Sequence, residues 1–134
     1  MKHLLSLGTI LTLMLVLLSA CAPAAPVLKD TEWKIIEMNG QPIPEKITIT
    51  LKFTTSTNAG GSAACNAYGA NYTLDGSKLT FEPPAGTLMF CEGIMEYETD
   101  YYAALGNVRS VKLENDRLSL LDDSGTVILL FSRL

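Results

Sequence analysis

The chain has a single histidine, His3, and a single tryptophan, Trp33. His3 lies at the start of an apolar leader. The rest of the chain therefore lacks both the commonest general base and the commonest metal ligand. No run of basic residues is present, which argues against nucleic acid as a partner and against electrostatic attachment to anionic lipid. No sequence feature calls for a cofactor or a bound metal. Charge is also missing at the start, where Lys2 is the only charged residue before Cys21. The remainder keeps nine basic and fourteen acidic residues and carries a net charge of −5.

What the N-terminus does have is the segment Leu4 to Leu18, apolar except for Ser6, Gly8, Thr9 and Thr12. It is short of the roughly 20 residues that a membrane-spanning helix needs and suits the apolar region of a signal peptide. It ends in Leu18-Ser19-Ala20-Cys21, the pattern of a bacterial lipoprotein box. Residues 1–20 are thus expected to be removed as a signal peptide, leaving Cys21 to carry the acyl chains. Two or three chains anchor stably, whereas one is marginal. The expected location is the cell envelope, on the membrane and outside the cytoplasm. Ala22 follows the cysteine, as in a cargo released to the outer membrane where the organism has one. Residues 21–27, with Pro23 and Pro26, form a short extended linker. One domain follows, from residue 28 to 134.

Within that domain, Ile47, Ile49, Leu51 and Phe53 alternate with polar residues as a half-buried strand does. Leu28 to Met38 forms a first strand with Trp33 and Ile35 on one face. Asn39-Gly40, Asp75-Gly76, Asn115-Asp116 and Asp122 to Gly125 are turn signals. Tyr68 to Leu74, Lys78 to Phe81, Val108 to Glu114, Arg117 to Asp122 and Thr126 to Arg133 supply further strands. Glu92 to about Gly106 is the one convincing helix, with Ile94, Tyr97, Tyr101 and Leu105 on a single stripe. The sum is an α+β domain dominated by antiparallel sheet, with about eight short strands.

The remaining cysteines, Cys65 and Cys91, sit in two unusual segments. Small residues crowd Gly60 to Tyr68 where a strand would hold bulk, which marks a bend or a close backbone approach. Thr87 to Cys91 reads as a tight connection docked against it. The cysteines admit three roles: a disulfide, a metal pair or a reactive thiol. Outside the cytoplasm they are expected to pair. Glu98 points along the apolar stripe of the helix. It is either a catalytic acid with a raised pKa or a structural acceptor for donors from the Cys65-Asn66 bend or the Thr87 loop. The structural role is preferred, because no second acid, histidine or nucleophile is evident beside it. Asn66 is expected to form the turn rather than bind a ligand. Asp122, Asp123 and Ser124 lack EF-hand spacing and suit a solvated turn. Tyr97 and Tyr101 are expected in the core.

With these residues placed, the chain resembles the META domain family, which includes the HslJ-like heat-shock proteins of bacteria. The likeness runs through residues 28–134 in order. It rests on Trp33 with Asn39-Gly40, on Gly61-Ser62-Ala63-Ala64-Cys65-Asn66-Ala67-Tyr68, on Thr87-Leu88-Met89-Phe90-Cys91, and on Glu98 in the helix. Ala64 stands where the family usually has glycine, a costly exchange if the backbone there has positive φ. The resemblance implies a cracked, barrel-like sheet with one helix across it, and roles in heat response, drug tolerance, virulence or motility. The function expected from all this is a non-enzymatic, lipid-anchored envelope protein that binds another envelope component. The alternative is a pilot, assembly factor or inhibitor holding a peptide or acyl chain in an open barrel seam. An enzyme ranks third.

Overall fold

In the computed structural model, which describes residues 24–134, β1 runs Thr31–Met38 with Trp33 and Ile35 facing inward. The alternation then slips. Ile35 and Glu37 oppose consecutive residues of the last strand, and this bulge brings Met38 into the core with them. The imperfect pattern of the first strand is therefore a register shift. The strand begins at Thr31 rather than Leu28, because Asp30 adopts a left-handed conformation with φ of 61°. The expected signal peptide, residues 1–20, and the expected lipid attachment at Cys21 lie outside the described residues.

The other strands are β2 (Gln41–Pro42), β3 (Thr50–Phe53), β4 (Asn58–Ser62), β5 (Ala67–Asp75), β6 (Lys78–Phe81), β7 (Ala85–Gly86), β8 (Ser110–Glu114), β9 (Arg117–Leu121) and β10 (Val127–Arg133). All pair antiparallel, in the order β10-β9-β8-β6-β5-β4-β3-β1, and β10 pairs back onto β1 to close an eight-stranded barrel. β2 extends β1, and β7 continues the β6 side of β5 beyond the Pro83-Pro84 break. Trp33, Leu51, Phe53, Leu79, Leu118, Leu120, Leu129 and Phe131 fill the interior. Ile47 and Ile49 are buried as their alternation requires, although the ladder of β3 begins only at Thr50.

The weakest joint is β6 to β8, where a single pair, Lys78 with Ser110, carries the ladder. Leu79 N–H to the Arg109 carbonyl and Val111 N–H to the Ser77 carbonyl reinforce it at 3.1 and 2.9 Å. This is the crack in the barrel. The helix α1 (Met95–Asn107) connects β7 to β8 and packs against β6 beside that joint, burying Glu98, Tyr101, Ala104 and Leu105. It starts three residues later than the stripe suggests. Gly93, with φ of 78°, breaks the chain direction, and Glu92 precedes the helix.

Tight turns carry the positive φ values. Asn39 and Gly40 both have them, the type I′ pattern of a two-residue hairpin. Between β4 and β5 the Ala63 N–H bonds to the Asn66 carbonyl at 2.8 Å, leaving Ala64 and Cys65 as the two central residues. Ala64 has φ of 76°. A positive φ at the first central position is where a type II′ loop takes glycine. Alanine there is strained through its Cβ, by about 1–2 kcal/mol for a left-handed L residue. Ala64→Gly is expected to raise stability by about 0.5–1 kcal/mol, after allowing for the freer unfolded chain and a half-buried methyl. Thermal unfolding checks it: the midpoint should rise by about 2–6 °C. A fall would show that the methyl packing outweighs the backbone strain.

Candidate functional site

The bend between β4 and β5 lies against the barrel because the residues before it have no bulk. A side chain on Gly61 would collide with the Thr50 carbonyl, and one on Gly60 would come within 2.5 Å of the Tyr68 carbonyl. Ser62 N–H bonds to the Thr50 hydroxyl and Ala64 N–H to the Thr48 carbonyl. The chain then turns sharply enough to push the Asn66 side chain into the space beneath α1.

Asn66 is 2% exposed and uses its whole side chain. Nδ2 donates to Glu98 Oε1 at 2.8 Å and to the Met89 carbonyl at 3.0 Å. Oδ1 accepts from the Thr87 hydroxyl at 2.8 Å and from Met89 N–H at 2.7 Å. Its backbone N–H, which would otherwise close the turn, donates to Glu98 Oε2 at 2.8 Å. Glu98 is 7% exposed, and no cation pairs with it among the described residues. Its negative end is balanced by two charge-assisted hydrogen bonds and by its place in the first turn of α1, where the helix dipole favours an acid.

The loop held by this asparagine is also held covalently. Cys65 and Cys91 form a disulfide with Cα atoms 5.8 Å apart. Thr87 and Met89 are therefore bonded inward through backbone and hydroxyl groups, although Met89 is still 57% exposed, while Leu88 and Phe90 make no inward bond. Leu88 is fully exposed, at 100%, and Phe90 is 81% exposed. Nothing in the pattern of Thr87 to Cys91 distinguishes which of its side chains face solvent, because that depends on the bonds to Asn66.

Beyond Asn66, Tyr68 and Tyr101 meet under the helix. The Tyr68 hydroxyl donates to the Thr50 carbonyl at 3.0 Å, so the 2.6 Å contact between the phenols must use the Tyr101 proton. Burial pushes both phenols above their ordinary range, and for Tyr101 the neighbouring Tyr68 adds to the effect. Tyr102 packs edge-on to Tyr68, with its own hydroxyl buried beside Gly86. Tyr97 is only half-buried, unlike Tyr101.

A family model for the META domain matches residues 26–133. The chain belongs to the META domain family. It is similar to a protein from Burkholderia xenovorans solved by NMR, with 30% identity over 80% of this chain and 83% of that one and a TM-score of 0.65. A second NMR structure matches at 23% identity over 78% and 90% of the two chains, with a TM-score of 0.62. A DUF4847 family protein from Bacteroides vulgatus shares the fold at 14% identity over 79% and 94%, with a TM-score of 0.61. No curated protein matches the chain.

Of the residues that define this META domain in sequence, Asn66, Thr87, Met89 and Glu98 converge on one network. Tyr68 lies next to it, and Cys65 and Cys91 close it from outside. Gly61 allows the approach. Trp33 sits apart: it is fully buried in β1, donates to the Thr31 hydroxyl at 2.8 Å and is covered by the Arg133 guanidinium. Asn66 does not supply the left-handed residue of the turn; Ala64 does. The four bonds of the Asn66 side chain were not legible, because they depend on where the Met89 backbone runs. Asp122 is a half-buried residue at the start of a turn. Its Oδ1 accepts from Ser124 N–H, the Ser124 hydroxyl and Thr126 N–H, and these bonds lower its pKa. Among the described residues, no group of three or more metal-ligating side chains gathers.

Both carboxylate oxygens of Glu98 accept, so Glu98→Gln must set an NH2 against a donor and is expected to lose about 1–3 kcal/mol. Glu98→Ala strands two donors and should lose about twice that. Chemical denaturation of the two variants checks the order. A Glu98→Gln protein as stable as wild type, yet inactive in a stress-survival assay, would overturn the structural assignment. The phenol pair gives a second, asymmetric expectation. Tyr68→Phe leaves the Tyr101 hydroxyl buried without a partner, at about 1–3 kcal/mol, whereas Tyr101→Phe leaves Tyr68 bonded to Thr50 and costs about 1 kcal/mol. Because the folded-state pKa values are raised, the fold favours neutral phenols. Stability should hold up to about pH 10, the unfolded value, and fall above it. A pH series of unfolding curves with no decline above pH 10 would contradict this.

Proposed function

We propose that this META domain protein is a non-enzymatic, lipid-anchored component of the cell envelope that acts by binding another envelope component in stress or drug tolerance. The observation that carries this reading is the contrast within the site. Glu98, the one buried acid among the described residues, has both oxygens engaged by Asn66. The reactive-looking groups are spent on holding a loop whose apolar side chains face solvent. Such a surface is a recognition element, since exposed contiguous apolar side chains on a folded domain mark interaction sites. The lipoprotein box at Leu18 to Cys21 supports membrane attachment through acyl chains on Cys21, and a disulfide between Cys65 and Cys91 suits an oxidising compartment.

A second reading draws on the seam. A cleft of about 480 Å³ runs along β8 and is lined by Val111, Leu113 and Leu121 together with Ala24 and Pro26 of the linker. A pilot or assembly factor would hold a peptide or acyl chain there. The barrel interior is filled, so room for such a ligand lies outside it, and the linker already occupies one side of this cleft.

The anchor and the surface are testable together. Mass spectrometry of the membrane fraction should find a mature chain beginning at acylated Cys21, and Cys21→Ala should leave the precursor uncut. A soluble product cut elsewhere would remove the anchor. Leu88→Asp with Phe90→Asp should keep the protein folded and membrane-bound but abolish its contribution to stress survival. Full survival with that double variant would remove the binding surface.

A further inference from the structure

Each backbone bond of the segment after β7 falls on an alternate residue. Thr87 N–H bonds inward to the Ala67 carbonyl at 3.1 Å, and Met89 bonds inward through both its N–H and its carbonyl. Among the described residues, no hydrogen bond reaches the backbone of Leu88 or Phe90. A period of two is what an extended segment shows when one edge is bonded and the other open; here the inward partners are the Ala67 carbonyl and the Asn66 side chain. The open edge offers the N–H and carbonyl groups of two residues spaced by one, each carrying a large apolar side chain in solvent.

We propose that Leu88-Met89-Phe90 is a preformed, substrate-like segment that occupies the cleft of an endopeptidase with an apolar specificity pocket. This rests on the binding-module reading and names its partner class. Endopeptidase clefts bind chains extended, pairing with the backbone of alternate residues and taking the side chain before the scissile bond in a pocket. Phe90 matches that pocket position and Leu88 the outer pairing position, with Met89 held from behind by Asn66. Binding this way forfeits little ordering entropy, because the loop is already fixed.

The same clamps explain why such a complex would persist. When an enzyme hydroxyl attacks the Phe90 carbonyl, an ester forms, the bond to Cys91 nitrogen breaks and the proton passes to that amine. The acyl side stays fixed through Met89 and Asn66, and the amine side through the Cys65–Cys91 bond. The amine therefore remains in place to attack the ester and restore the amide.

Charge selects this occupant over two others. From Leu79 to Val108 the chain has no lysine or arginine, and besides the buried Glu98 it contains four exposed acids, Glu82, Glu92, Glu96 and Asp100. An anionic bilayer would repel this face, and a second copy would bring the same acids against it. A cleft with a cationic rim would attract it.

The test titrates the purified, oxidised protein against chymotrypsin, whose pocket is apolar, with trypsin assayed alongside using short fluorogenic substrates. Competitive inhibition of chymotrypsin at about 1 μM or below is expected, without inhibition of trypsin. Phe90→Lys should reverse that preference by about 100-fold or more, a switch that a purely structural role for Phe90 would not produce. Phe90→Asp should inhibit neither enzyme while melting where wild type melts. The proposal is overturned if about 10 μM protein leaves chymotrypsin unaffected, or if the Phe90–Cys91 bond is cut to completion. It is equally overturned if Phe90→Asp abolishes binding to anionic phospholipid vesicles or abolishes a dimer. A protein that spares chymotrypsin yet still needs Leu88 and Phe90 for stress survival keeps the binding-module reading and loses only the endopeptidase.

Discussion

Asn66 has two donor hydrogens and an acceptor oxygen with two sites, and every one is used inside the protein. Three pieces of chain that are far apart in sequence meet on this one amide: the β4–β5 turn, the loop after β7 and the first turn of α1. Each piece needs the other two. Without the loop, one donor hydrogen and both acceptor sites of the amide would be buried unpaired. Without Glu98, the backbone N–H of the turn would have no acceptor. A partly satisfied polar cluster in the interior is worse than none, so the network forms as a unit and fixes the three elements in one arrangement.

The barrel and the network divide the work. Apolar side chains from all eight strands of the barrel supply the driving force for the fold, at roughly 25 cal/mol for each Å² removed from water. That force has no direction and would tolerate a loop placed a few ångströms away. Position comes from the polar contacts and from the disulfide, which closes a loop of 26 residues in separation and limits the unfolded chain by about 3–4 kcal/mol. The tyrosine pair belongs to both. Its rings pack edge-to-face at 5.5 Å, and its hydroxyls tie α1 to the Thr50 carbonyl of β3.

The architecture was largely legible because binary patterning and turn chemistry are local. Ile49, Leu51 and Phe53 alternate for the reason that one face of β3 is buried, and Asn39-Gly40 turns for the reason that both residues accept positive φ. Membership of the META domain was legible from the two cysteine segments, and the family match spans them. Less was legible where distant parts decide. The bulge at Ile36 blurred the face of β1, Gly93 shortened the helix, and the two-residue strands β2 and β7 are too brief for any periodicity. The exposure of Leu88 and Phe90 was not legible, because it follows from the inward bonds that Thr87 and Met89 make to Asn66.

The strained residue at Ala64 has a consequence for the order of events along the folding route. Two other hairpins turn on residues suited to left-handed backbone: β5–β6 on Gly76, with φ of 59°, and β8–β9 on Asn115, with φ of 51°. Each can close early, within the microseconds that a hairpin takes, on local preference alone. The β4–β5 hairpin, with alanine at that position, is a poor autonomous nucleus. It waits for α1 to bring Glu98 and for the loop to bring Met89. The turn at Ala64 and the loop that ends at Cys91 are thus among the last parts to settle, and the thiols of Cys65 and Cys91 meet only when both are in place.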